Sequence, residues 1–204
     1  MNTLYYAPGA CSIGIHILLE EIGQPYEPVQ LNLREGAQFK PEFTGINPKS
    51  KVPTLVRDDN SVLTEFPAIA LWLALKHPAL MPKDADATAR AMEATDYAVA
   101  TIHMQGFSRT FRPANFAPSE ADHETVKEKG LDIYRKGLTN LANALGDRDY
   151  FAGDFSFGDA APFYVSFWGA ERLKLELPGA LAGHYARMKA RPAVQRVMKV
   201  EGLA

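Results

Sequence analysis

The sequence predicts two domains, a small mixed α/β unit over residues 1–79 and an all-helical unit over 88–204, joined by a linker at 80–87. Two observations lead there. Through the first part, short aliphatic and aromatic runs broken by turn residues alternate with helical patterns. Beyond the linker no convincing strand occurs, and apolar residues recur at steps of three and four.

Taken in order, Thr3-Leu4-Tyr5-Tyr6 reads as a strand that stops at Pro8-Gly9. Ile15, Leu18, Leu19 and Ile22 then fall on one face of a helix, and Gly23 follows where a left-handed residue usually ends one. Residues 26–33 read as a second strand, and the polar stretch 34–50 holds at most one short helix. Val52-Pro53-Thr54-Leu55-Val56 and Val62-Leu63-Thr64 read as two strands joined by a hairpin turn at Asp58-Asp59-Asn60-Ser61. From Pro67 a helix runs through Ile69, Leu71, Trp72, Leu73 and Leu75. It is apolar nearly all round and is expected to be buried. The order βαβ, irregular link, ββα makes a mixed four-stranded sheet with helices packed on it. In the second part, Leu131, Tyr134, Leu138, Leu141 and Leu145 form a long core-facing stripe. Leu181, His184, Tyr185 and Met188 repeat it, and Arg191-Pro192 suits a helix start.

Composition narrows the function classes. Of 204 residues, 47% are apolar and 23% charged, as in an ordinary globular protein. A net charge of −2 gives no general pull toward nucleic acid or an anionic membrane, so neither is expected as a partner. No apolar run approaches the ~20 residues that span a bilayer. The first residues have no basic start or apolar core, and the single cysteine forms no internal disulfide, so a reduced, cytoplasmic setting is expected. The five histidines show no ligand spacing with one another or with Cys11, and no metal site is expected. Neither a P-loop nor a dinucleotide glycine pattern occurs.

Three places can carry chemistry. Cys11 follows a strand and a Pro-Gly turn, where a helix begins. Backbone N–H groups and the helix dipole there can lower a thiol pKa, whereas a buried structural cysteine is inert. Ser12 beside it can cap the helix or donate its hydroxyl to a bound thiolate. Val52-Pro53 opens a strand, and a cis bond would turn the Val52 N–H and C=O outward to pair with an extended peptide ligand. Glu65, at the start of the apolar helix, either offsets the helix dipole or accepts hydrogen bonds from a ligand ammonium group.

Together these segments resemble a known family. The series Pro8-Gly9-Ala10-Cys11-Ser12, Asn47-Pro48-Lys49, Val52-Pro53, Leu63-Thr64-Glu65 and Ala68-Ile69 resembles the thioredoxin-like domain of glutathione transferases. The opening Leu4-Tyr5-Tyr6-Ala7-Pro8-Gly9-Ala10-Cys11-Ser12 is similar to the bacterial beta class. Gly153-Asp154-Phe155-Ser156-Phe157-Gly158-Asp159-Ala160 resembles the family's folding motif, in which Ser156 caps a helix and Asp159 closes the capping box. The resemblance implies a homodimer that binds reduced glutathione as co-substrate. The cysteinyl amide would pair with Val52 beside a cis Pro53, and Glu65, with Phe66 and the helix N–H groups after it, would hold the γ-glutamyl end. Ala10, Cys11, Ser12 and Tyr6 would surround the sulfur. An electrophilic small molecule would lie against the helical domain. Apart from the resemblance, Tyr97, Met104, Phe107 and Phe111 are candidate walls for it, and Arg109, which takes a place the family gives to proline, or Arg112 is a candidate to bind a carboxylate or phosphate on it. The rival readings are Cys11-dependent thiol–disulfide exchange or deglutathionylation, and a non-enzymatic binding protein on the same fold.

Two departures from the family pattern bear on function. Phe66 stands where many members have serine, and its ring must find room. Met104 and Gln105 occupy the places of a beta-class His-Lys pair, with His103 one residue early. His103 is expected to be a core or interface residue.

Overall fold

The computed structural model describes every residue from Met1 to Ala204. Strand β1 (Asn2–Tyr6) leads through the Pro-Gly turn into helix α1 (Ile13–Ile22), which ends at Gly23 in the left-handed conformation, φ 68°. Strand β2 (Tyr26–Gln30) pairs parallel to β1. It is shorter than the sequence predicts, because Asn32 accepts a hydrogen bond from the Arg34 N–H and starts a tight 3₁₀ turn at Leu33–Glu35. The polar link contains one short helix, α2 (Pro41–Thr44). Strand β3 (Thr54–Val56) is antiparallel to β1, and β4 (Val62–Thr64) is antiparallel to β3, giving the order β2-β1-β3-β4. Pro53 is excluded from β3 because it has no N–H to donate.

Helix α3 (Phe66–Lys76) departs from expectation. Ile69, Ala70, Leu73 and Ala74 are buried, but Leu75 is 66% exposed and Leu71 and Trp72 are only half-buried. The helix lies on one side of the sheet; on its outer face the Arg57 guanidinium lies 5.6 Å from the Trp72 ring centroid, and Leu75 stands open to solvent.

The chain divides into two units, Met1–Met81 with Arg187–Ala204, and Pro82–Ala186. The division differs from the expected one at its far end, since the last helix joins the first unit. Helix α9 (Pro192–Val200) buries Ala193, Val194, Val197 and Met198. Arg191 pairs with Glu21 at 2.5 and 2.9 Å and Arg196 with Glu20 at 2.7 Å, fixing α9 along α1. Beyond α9, the buried Glu201 accepts from the Gly9 N–H at 2.7 Å and lies 2.8 Å from His16 Nδ1.

In the second unit, α4 (Ala85–Asp96) runs on through wide π-helical turns at Tyr97–Phe107 into α5 (Ser108–Phe111). Helix α6 (His123–Leu145) carries the predicted stripe, with Tyr134, Leu138, Leu141 and Leu145 buried. It meets the π segment at bare backbone, where a Cβ on Gly130 would lie 2.8 Å from the Gly106 carbonyl oxygen. Helix α7 (Ala160–Phe167) is wholly buried and enters through the expected capping box of Ser156 and Asp159. Asp159 also accepts from the Phe151 N–H at 3.0 Å and lies 3.0 Å from His184 Nε2. His184 sits on α8 (Gly179–Ala190), within which the boundary between the units falls. No helix is long and apolar enough to cross a membrane.

Candidate functional site

The strand register gathers the candidate residues of the first unit at one end of the sheet. Tyr5 pairs with Thr54 and Thr54 with Thr64, so one step further Tyr6, Pro53 and Glu65 stand abreast. The Val52-Pro53 bond is cis. Cys11 and Val52 meet directly, the thiol donating to the Val52 carbonyl at 3.4 Å.

The thiol does not have the acidity that its place at a helix start suggests. Cys11 is half-buried. Desolvation pushes the thiol up to about 12, against the smaller lowering by the N–H groups of Cys11 and Ser12 and by the Lys51 charge. Ser12 does not cap α1. Its hydroxyl accepts from the Ala7 N–H at 3.1 Å and donates to the Ala7 carbonyl at 3.3 Å, closing the turn that carries Cys11. Ala10 belongs to the same turn, its N–H bonded to the Ala7 carbonyl at 3.0 Å. Tyr6 is buried with its ring 4.9 Å from that of His16. Burial first, and then the nearby Glu201 charge, raise its phenol, so Tyr6 is a neutral group on the core side.

The loop before Val52 is fixed by a buried amide. Asn47 Oδ1 accepts from the Lys49 N–H at 3.0 Å, while its Nδ2 donates to the Lys51 carbonyl at 3.0 Å and to Thr54 Oγ1 at 2.8 Å. One side chain thus sets both the backbone leading into Val52 and the start of Lys49. Nothing in the sequence reading assigned Asn47 a role; its place in a turn-forming Asn-Pro pair was the available signal.

Glu65 has φ 69° and ψ 123°, a conformation that costs a non-glycine residue about 1–3 kcal/mol. It directs the side chain outward at the start of α3, and Lys49 Nζ donates to it at 2.9 Å and to Thr64 Oγ1 at 2.8 Å. Both side chains of the pair are more than half exposed, at 54% and 59%. The next residue, Phe66, is buried, so its ring has found room in the core and does not cover Glu65.

The residues expected to wall a second pocket do not form one set. The Tyr97 hydroxyl accepts from Asn140 Nδ2 at 2.7 Å, and the ring lines a groove of about 370 Å³ with Arg90, Leu141 and Phe151. Phe107 is spent on the core, stacked on Trp168 at 4.2 Å and on Phe111 at 5.3 Å. Phe111 itself is 57% exposed, and Met104 is exposed as well. Arg109 lies over the Phe116 ring at 4.5 Å and donates to the Gln105 carbonyl and side chain, whereas Arg112 is exposed. His103 is half-buried among aromatic rings, Nδ1 lying 3.3 Å from the Tyr164 hydroxyl and the ring 4.7 Å from Trp168. No group of three or more His, Cys, Asp or Glu side chains is arranged to hold a metal.

Known proteins resemble this chain in sequence and in fold. The model of the glutathione S-transferase N-terminal domain matches residues 9–76. Glutathione S-transferase GstA of Escherichia coli O157:H7 is 34% identical over 207 residues, 98% of each chain. The chain belongs to the glutathione S-transferase family. A glutathione transferase homologue from Sulfitobacter, solved with bound glutathione, superposes with a TM-score of 0.91 at 28% identity, covering 100% of this chain and 99% of the other. The bacterial beta-class enzyme of Sphingomonas chungbukensis does so with a TM-score of 0.83 at 30% identity, over 99% and 100%. Such neighbours make this a thioredoxin-like sheet domain joined to a helical one, and the family likeness is to the bacterial beta class.

Proposed function

We propose that this family member binds reduced glutathione at the Cys11, Val52 and Glu65 end of its sheet and activates the thiol for attack on an electrophilic small molecule. The observation that carries the reading is the convergence of an outward carboxylate, Glu65, with the Val52 backbone and the Cys11 turn at one sheet end. A tripeptide with an ammonium group at one end and a thiol in the middle matches those groups in order. The Sulfitobacter neighbour with bound glutathione supports the same ligand.

Chemically, the bound peptide's cysteinyl N–H takes the Val52 carbonyl from Cys11, and the freed Cys11 S–H donates to the glutathione sulfur. The N–H groups of Cys11 and Ser12 and the dipole of α1 add positive potential there. The glutathione S–H loses its proton to solvent, and each unit by which its pKa falls stabilises the thiolate by ~1.4 kcal/mol. The thiolate forms a C–S bond to the electrophile, whose leaving group departs with its electron pair. Cys11 acts here as a protonated donor. A thiol held at about 12 has almost no thiolate at neutral pH, which weighs against Cys11 itself attacking a mixed disulfide. A homodimer belongs to the same proposal, supported by the exposed Leu75 beside the half-buried Leu71 on α3.

Calorimetric titration of reduced glutathione into the reduced protein tests the reading. One saturable site, abolished by Glu65→Ala, is expected. No binding at millimolar glutathione would leave the non-enzymatic binding protein as the better account.

A further inference from the structure

We infer that Lys49 is a specificity-determining residue, which reads the α-carboxylate of the γ-glutamyl end while Glu65 reads the α-ammonium group. The inference rests on glutathione being the ligand and goes beyond that by assigning the second charge of its zwitterionic head.

An α-amino acid head carries a cation and an anion on one carbon, so a receptor that separates it from other peptides needs an anion and a cation within a few ångströms. Glu65 supplies the anion. The residue after it offers no hydroxyl, since Phe66 is buried with an apolar ring, and Pro67 has no N–H. The cation beside the carboxylate is Lys49, whose Nζ is 2.9 Å from Glu65 Oε1. Its backbone is fixed independently, because the buried Asn47 side chain accepts from the Lys49 N–H. The chain therefore brings the ammonium group to Glu65 from a pinned loop rather than from a mobile segment.

The exposure of the pair decides how it behaves. Both partners are more than half in solvent, so the ion pair is screened and its opening costs little. A zwitterion can insert by exchanging partners: its ammonium takes Glu65, and Lys49 turns to its carboxylate. Two charges are satisfied before and two pairs after, so no unpaired ion is left behind. An uncharged or singly charged head cannot complete this exchange. A ligand with only the ammonium leaves Lys49 without a partner, and one with only the carboxylate leaves Glu65 without one.

Titrations with three tripeptides test this directly: glutathione, γ-aminobutyryl-cysteinyl-glycine, which lacks the α-carboxylate, and glutaryl-cysteinyl-glycine, which lacks the α-amino group. Lys49→Gln is expected to weaken glutathione and the glutaryl peptide about fivefold, the size of a screened ion pair. The same variant should bind the aminobutyryl peptide as well as the wild type or better, since Glu65 no longer has a competing cation. Lys49→Arg is expected to keep the wild-type order of the three peptides. If Lys49→Gln binds glutathione unchanged or more tightly while the wild type binds it saturably, Lys49 is only a competitor for Glu65, and the inference falls alone. If the wild type binds no glutathione, the proposed function falls with it.

Discussion

The two ends of the candidate site are built on opposite electrostatic principles. At the thiol end, Ser12, Tyr6, His16 and Glu201 are buried and Cys11 is half-buried, all bonded to or packed among the protein's own groups. At the charged end, Lys49 and Glu65 stand more than half in water and hold only each other and Thr64. Burial makes the first end a fixed frame, in which desolvation raises the Cys11 thiol and the Tyr6 phenol. Exposure makes the second an exchangeable pair whose partners a ligand can replace. The same separation, 2.8 Å between His16 Nδ1 and Glu201 and 2.9 Å between Lys49 Nζ and Glu65, thus has two different consequences.

The contrast breaks first at Glu201. Glu201→Ala removes the acceptor of the Gly9 N–H and the partner of a buried His16, and is expected to cost about 3 kcal/mol. In a chain of this size that lowers the melting temperature by roughly 6–12 °C in a thermal scan. A shift under 2 °C would mean that the buried frame is no firmer than the exposed pair.

A smaller effect is expected from pH. The unfolded Cys11 thiol titrates near its ordinary value of 9, while the folded one keeps its proton to about 12. Stability from this group is therefore complete well below pH 9 and declines as pH rises from 9 toward 12, by about 1.4 kcal/mol at pH 10. Denaturant titrations at pH 8 and pH 10 should show this loss in the wild type and not in Cys11→Ala, and iodoacetamide should label the folded thiol very slowly at pH 8. Rapid labelling at that pH would mean that the helix start governs the sulfur after all.

The smallest effect is at the charged end. Lys49→Gln is expected to change unfolding stability by less than about 0.5 kcal/mol, as for other exposed pairs, measured by the same titration. A loss above 1 kcal/mol would give Lys49 a structural part in the loop.

What was legible in the sequence follows the same division. Strands, turns and the α6 stripe could be read because each depends on local residue types: Gly23 stops α1, Asn60 takes the left-handed place in the hairpin turn at φ 64°, and Tyr134 to Leu145 keep helical spacing. Cys11, Val52 and Glu65 were singled out by motif, and the proposed function rests on them. The acidity of Cys11 was not legible, because desolvation depends on what folds over the sulfur. The pairings of Glu201 with Gly9 and of His184 with Asp159 were also hidden, since nothing local marks which buried side chains meet across 192 and 25 residues. Phe107 looked like a pocket wall for a similar reason: apolar residues near a cleft and apolar residues in the core read alike until their neighbours are known.

The return of α9 to the first unit also orders events during synthesis. The ribosome makes Pro82–Ala186 before Arg187–Ala204, so the sheet domain emerges early but waits for its last helix until the whole helical unit has been translated. Until then the turn holding Cys11 lacks the carboxylate that fixes Gly9.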